Sequence, residues 1–187
     1  MSEKTPFQKV EEFHKIFDPR SPKVPTPFTK KEAVYRAGFK MEELVELIAA
    51  TCQGDQKQLH EEVKTLHEAL DQAERRMLTK KHWGNDPLVE QVDALTDLLY
   101  FTYGSFSLLG VDPTQIFDIV HQANMGKLFP DGKPHYHPIT NKVLKPENWE
   151  QNYAPEPKIA NEIQRQINEA QKNSLKNLTS SQREQLK

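Results

Sequence analysis

The chain has 187 residues, 36% of them hydrophobic and 28% charged, and 25 basic against 27 acidic side chains leave a net charge of −2. That length suits one domain with room for an appendage and a sizeable core, and the near-neutral balance gives no electrostatic footing for nucleic acid or an anionic membrane. A lone cysteine, Cys52, excludes an intrachain disulfide, no apolar run nears the roughly 20 residues of a membrane span, and Met1-Ser-Glu-Lys lacks a secretory apolar stretch, so the cytoplasm is the expected compartment.

Phe7, Val10, Phe13 and Phe17 recur at three- and four-residue spacing, so a short helix is expected over residues 5–17, stopped by Asp18-Pro19. Arg20–Phe28 follows with three prolines. Proline fixes φ and drives its predecessor into extended geometry, so this is a strap that either covers a site or merely connects. Thr29 and Glu32 have capping-box spacing, and the helix they open should run from Lys30 to about Gln53. Gly38 weakens its middle by about 1 kcal/mol relative to alanine. After Gly54-Asp55, residues Leu59, Val63, Leu66, Leu70, Ala73 and Met77 alternate four- and three-residue steps out to about Lys80. This narrow, heptad-like seam suits a helical hairpin or a partner subunit. Cys52, in its alanine-rich helical segment, reads as packing.

Residues 81–87 break the pattern, and Asp86-Pro87 reads as N-cap and first residue of a helix reaching about Leu109. Gly110-Val-Asp-Pro113 stops and restarts the chain, and a shorter helix carries Ile116, Phe117, Val120 and Asn124. Pro130-Asp-Gly132 is a turn, residues 135–149 read as an irregular loop or small hairpin, and Ile159, Ile163 and Ile167 mark a helix over residues 155–171. From about residue 173 the chain should fray. With no strand pattern for a parallel sheet, the fold class is all-α.

Two of these helices carry acid stripes. At about 100° per residue, Glu42, Glu43 and Glu46 share one third of the circumference while Leu44, Leu47 and Ile48 lie opposite. Glu90, Asp93 and Asp97 stack at i, i+3 and i+7, with Val92, Leu95, Leu99 and Tyr103 behind them as the expected core side. Carboxylates so close repel unless a cation sits between them, and hard oxygen donors suit magnesium. A surplus acid can act as general base. Either stripe alone also reads as a solvated face, which would make the chain a non-catalytic helical interaction module working through its heptad seam. A carboxylate di-iron bundle needs two Glu-x-x-His pairs, and Glu11-x-x-His14 alone fits. His14, Phe17 and Trp83 are either core or base-stacking aromatics, and Lys133, Lys142 and Lys145 lie in loops that could close over an anion.

The ordered run of motifs adds to this. Glu42-Glu43-x-x-Glu46, then Val89-Glu-Gln-Val-Asp93 and its continuation to Gly104, then Gly110-Val-Asp-Pro113, Val120-His-Gln-Ala-Asn-Met-Gly-Lys127, Asp131-Gly-Lys-Pro134 and Lys142-Val-Leu-Lys-Pro146 together resemble the all-α nucleoside triphosphate pyrophosphohydrolases of the MazG-like superfamily. Within it they look like the subgroup related to phosphoribosyl-ATP pyrophosphohydrolase, as do Phe13-His-x-x-Phe17 and the proline strap. The likeness covers residues 7–150; the segment 56–80 is long for the family and nothing past 155 is recognisable. The resemblance implies a helical bundle completed by dimerisation or a higher homo-oligomer, with a domain over 1–155 that includes an irregular loop at 128–155, then a C-terminal helix and tail over 156–187. It implies hydrolysis of a nucleoside or deoxynucleoside triphosphate to monophosphate and pyrophosphate. Magnesium, or manganese in its place, would be held by Glu42, Glu43, Glu46, Glu90 and Asp93, with one of the first three activating the water. Asn124 and Lys127 would contact phosphate, with Lys133, Lys142 and Asp97 as further substrate-side groups. Base and sugar stay open.

Overall fold

The computed structural model describes residues 4–18, 20–81 and 84–177. Among them are seven helices: α1 (Pro6–Phe17), α2 (Lys30–Cys52), α3 (Gln56–Leu78), α4 (Pro87–Leu109), α5 (Thr114–Met125), α6 (Trp149–Tyr153) and α7 (Glu156–Asn177). Extended pairing among the described residues is limited to one antiparallel bridge, Tyr136 to Val143, so the fold is all-α as expected.

The caps explain where the helices begin. The Thr29 hydroxyl accepts the Glu32 amide at 3.3 Å and the Glu32 carboxylate accepts the Thr29 amide at 2.8 Å, which is the anticipated capping box. Thr5 and Gln8 build a second one at α1. Asp55 accepts two amides of the first turn of α3, at 2.9 and 3.0 Å, and Asp86 accepts the Leu88 amide at 2.9 Å at the start of α4. Between α2 and α3 the chain reverses through Gln53 at φ 50° and Gly54 at φ 90°, left-handed geometry that glycine adopts freely.

The chain forms two compact units, Val24–Leu98 and Met1–Lys23 with Leu99–Lys187. In the first, α3 packs back on α2: Leu59, Val63, Leu66 and Ala73 of the seam are half-buried, as are Ile48 and Ala49 of α2, and Cys52 is buried as a packing residue. Leu70 and Met77, further along the seam, stay exposed. The strap is tied to α4 at Phe28, whose amide donates to Gln91 Oε1 at 2.7 Å and whose carbonyl accepts from Gln91 Nε2 at 3.1 Å.

In the second unit α5 is the centre, with α1 and α7 packed against it around Phe17, Ile116, Ala123 and Trp149. Phe13 stacks on Phe17 at 4.2 Å, and the Tyr136 hydroxyl donates to the Phe17 carbonyl at 2.8 Å. Lys9 of α1 is ion-paired to Asp118 of α5. The Gln166 side chain of α7 bonds both backbone groups of Asp112, each at 2.9 Å. Trp149 Nε1 donates to the Ala123 carbonyl at 2.9 Å, satisfying an orphan group in the last turn of α5. Gly126 is required by close approach, since a Cβ there would strike the Tyr153 ring.

Three expectations are corrected. The irregular loop expected over 128–155 holds a short helix, α6, too brief to show a period, while residues 135–148 are irregular around one bridge as expected. Helix α7 continues to Asn177, past the expected end at 171 and through the stretch expected to fray from 173. Tyr103 is not core: it is 51% exposed, and α4 has no buried residue along its whole length. Val92, Leu95 and Leu99 on the same apolar back are exposed as well. Trp83, Pro19 and the tail over 178–187 lie outside the described residues.

Candidate functional site

The acid candidates all fall in the unit Val24–Leu98. Glu42, Glu43 and Glu46 are exposed on one side of α2, which runs unbroken through Gly38. Glu90, Asp93 and Asp97 are exposed on the first turns of α4. The Glu90 side chain folds back over Gly84, where a Cβ would collide with its carboxylate. Gln91, beside it, holds the strap by the two bonds to Phe28. Sequence reading missed Gln91 because its partner lies 63 positions away and no local period reports such a contact.

Within a single chain the two acid motifs do not converge. Among the described residues no three of His, Cys, Asp and Glu come together in a group that could hold a metal ion. The element packed on α2 is α3, and α4 meets the strap at the start of α2 instead of lying along it. The donor set still fits a hard divalent cation. It consists of exposed carboxylates, and Glu43, Glu46, Glu90 and Asp93 have no cationic side chain in ion-pair contact among the described residues.

The polar candidates lie in the other unit. Lys127 and Asn124 are half-buried at the end of α5, and Lys127 Nζ donates to Asn124 Oδ1 at 2.7 Å. They therefore stand together as one polar pair. Lys133 is exposed in a turn where its amide donates to Asp131 Oδ1 at 3.0 Å. Asp131 is also bound to His135 at 2.9 Å, and this bond, ahead of the Lys133 amide, holds its carboxyl below the usual range. His135 in turn stacks on Phe129 at 4.0 Å. Lys142 is exposed beside the Tyr136–Val143 bridge. Lys145 is committed elsewhere, with its ammonium 3.8 Å from the Trp149 ring centre and 3.2 Å from Glu150. His14 sits 3.7 Å from Asp18, and Phe17 is core.

The model of the family described as phosphoribosyl-ATP pyrophosphohydrolase matches residues 10–124. A search of the curated proteins finds no match. Among solved structures, the chain is similar to the crystal structure of a protein provisionally named an NTP pyrophosphohydrolase from Exiguobacterium sp. 255-15. The TM-score is 0.78 and the identity 35%, covering 90% of this chain and 99% of that one. The matched segment takes in both acid stripes and ends at Asn124, so motif order, helical architecture and family match agree: the chain belongs to the phosphoribosyl-ATP pyrophosphohydrolase family and is a hydrolase acting on a phosphoanhydride bond.

Proposed function

We propose that this protein hydrolyses a nucleoside or deoxynucleoside triphosphate between the α- and β-phosphates, giving the monophosphate and pyrophosphate, and that it depends on magnesium, with manganese as a substitute. The observation that carries this reading is that one family match spans Glu42, Glu43, Glu46, Glu90, Asp93 and Asn124 together. Glu42, Glu43, Glu46, Glu90 and Asp93 would hold the cation, and a divalent ion bound there screens the polyphosphate and favours in-line attack by water. A glutamate of α2 accepts the proton of the attacking water. The Lys127 ammonium and the Asn124 amide supply a charge and donors for phosphate oxygens, already set side by side. Lys133, Lys142 and Asp97 are further substrate-side groups.

The working form in this reading is a homodimer or higher homo-oligomer. Ten large apolar residues of α4 are exposed, from Leu95 at 38% to Leu108 at 92%. Such a surface, on the order of 1,000 Å², exceeds what a monomer leaves open and matches one side of a standard interface. A cytoplasmic setting suits the single cysteine, and among the described residues no helix is long and apolar enough to cross a membrane.

A second reading, the helical interaction module, is favoured by the exposure of every acid in both stripes. Pyrophosphate release from a panel of triphosphates with and without magnesium separates the two. Wild type is expected to turn over at least one of them only with the metal. Glu46→Gln and Asp93→Asn are each expected to lose at least 100-fold in kcat with an unchanged far-UV spectrum. Absence of wild-type release, or near-normal rates in either variant, rejects the hydrolytic assignment.

A further inference from the structure

We infer that the cavity between the turn after α5 and the start of α6 is the base subsite of the substrate, and that it selects bases carrying an exocyclic amino group: adenine, guanine or cytosine. This rests on the nucleotide pyrophosphohydrolase reading above. The cavity measures about 720 Å³, within the range of small-molecule sites. Phe129, Pro130 and Pro146 form its apolar wall, and Glu147, Asn148 and Gln151 line it with polar groups. Both walls are fixed to the end of α5, within one compact unit. Trp149, next to Asn148, is bonded to the Ala123 carbonyl at 2.9 Å. Phe129 follows Lys127 by two residues, at most about 7 Å of chain. The Asn124–Lys127 pair offered to phosphate therefore stands beside the cavity, close enough for one nucleotide to reach both.

The two walls divide the recognition of a base between them. His135, itself held by Asp131, stacks on one face of the Phe129 ring at 4.0 Å with 9° between the planes. A base laid on the other face extends that stack, and aromatic stacking accepts any base. Selection falls to the polar side. Glu150 is tied to Lys145 at 3.2 Å. Among the described residues no hydrogen bond or ion pair engages the side chain of Glu147, Asn148 or Gln151, and Asn148 makes no side-chain cap bond to α6. The amides of Asn148 and Gln151 both donate and accept, so they match any base edge, whereas the Glu147 carboxylate only accepts. An exocyclic amino group donates to it. Uracil and thymine carry a carbonyl oxygen in that place, and two acceptors face to face reject each other.

Titration calorimetry of the full chain with AMP, GMP, CMP and UMP reads the base without turnover. At least one of the first three is expected to bind about tenfold more tightly than UMP. Glu147→Gln supplies a donor where the carboxylate only accepts, and should bring that preference to within about threefold. Phe129→Leu should weaken every monophosphate by about tenfold, while Phe129→Tyr, which keeps the ring, should restore wild-type affinity, all with matching far-UV spectra. No binding of any monophosphate, binding of UMP as tight as the rest, a preference that survives Glu147→Gln, or full affinity in Phe129→Leu each overturns the base subsite. If wild type still releases pyrophosphate from a triphosphate with magnesium, the hydrolytic reading stands without it. Selective, Glu147-dependent binding of a monophosphate with no pyrophosphate release from any triphosphate removes the hydrolytic reading and leaves the cavity as a nucleotide site.

Discussion

The indole of Trp149 is buried, bonded through Nε1 to a carbonyl of α5 and covered by the Lys145 ammonium. Trp149→Phe keeps most of the apolar area but orphans the Ala123 carbonyl. The expected cost is about 1–3 kcal/mol in urea denaturation, most of it the penalty for an unsatisfied buried acceptor. Gly126→Ala drives a methyl into the Tyr153 ring and should cost about 1–3 kcal/mol through overpacking, read by the same assay. Neither residue was legible beforehand. Trp149 finds its partner 26 positions back and Gly126 meets a ring from another element, so no local pattern encodes either contact. Thr29, Asp55 and Asp86 were legible because a cap acts on amides two or three residues away.

For the helices, sequence periodicity and caps located α1 to α5 closely, since each carries a clear apolar period or a capping residue at its start. They undershot α7 because its distal turns are polar. Its middle turns are reinforced by ion pairs: Arg165 binds Glu162 at 2.6 Å and Glu169 at 2.7 Å. The Arg165 guanidinium, then the Gln166 amide, pulls the Glu162 carboxyl from an ordinary 4.5 down to about 2. A depressed carboxyl contributes stability that is full above its unfolded value and fades as the proton returns. Helicity of α7 should therefore hold above about pH 4.5 and fall between there and about pH 2. Arg165→Ala should return the Glu162 midpoint toward the ordinary value, seen in an NMR titration of its carboxyl carbon. At the head of α2, Thr29→Ala removes half of the capping box and should lower stability by about 1 kcal/mol in a thermal melt.

For the molecule as a whole, the acid motifs were legible as residues but not as a site. Periodicity fixes which side of a helix an acid occupies and carries no information about which helix faces it. The same limit applies to Tyr103, whose place on an apolar back was read correctly while its exposure was not. If α4 is a subunit contact, Leu99→Glu with Phe101→Glu should shift sedimentation to the monomer and abolish pyrophosphate release together. The Phe28–Gln91 clasp also bears on synthesis, because its two halves are 63 residues apart. At about 5–20 residues per second, several seconds separate their emergence from the ribosome. During that interval the proline strap is a loose tether open to proteases, and a chain terminated before residue 91 never fastens it.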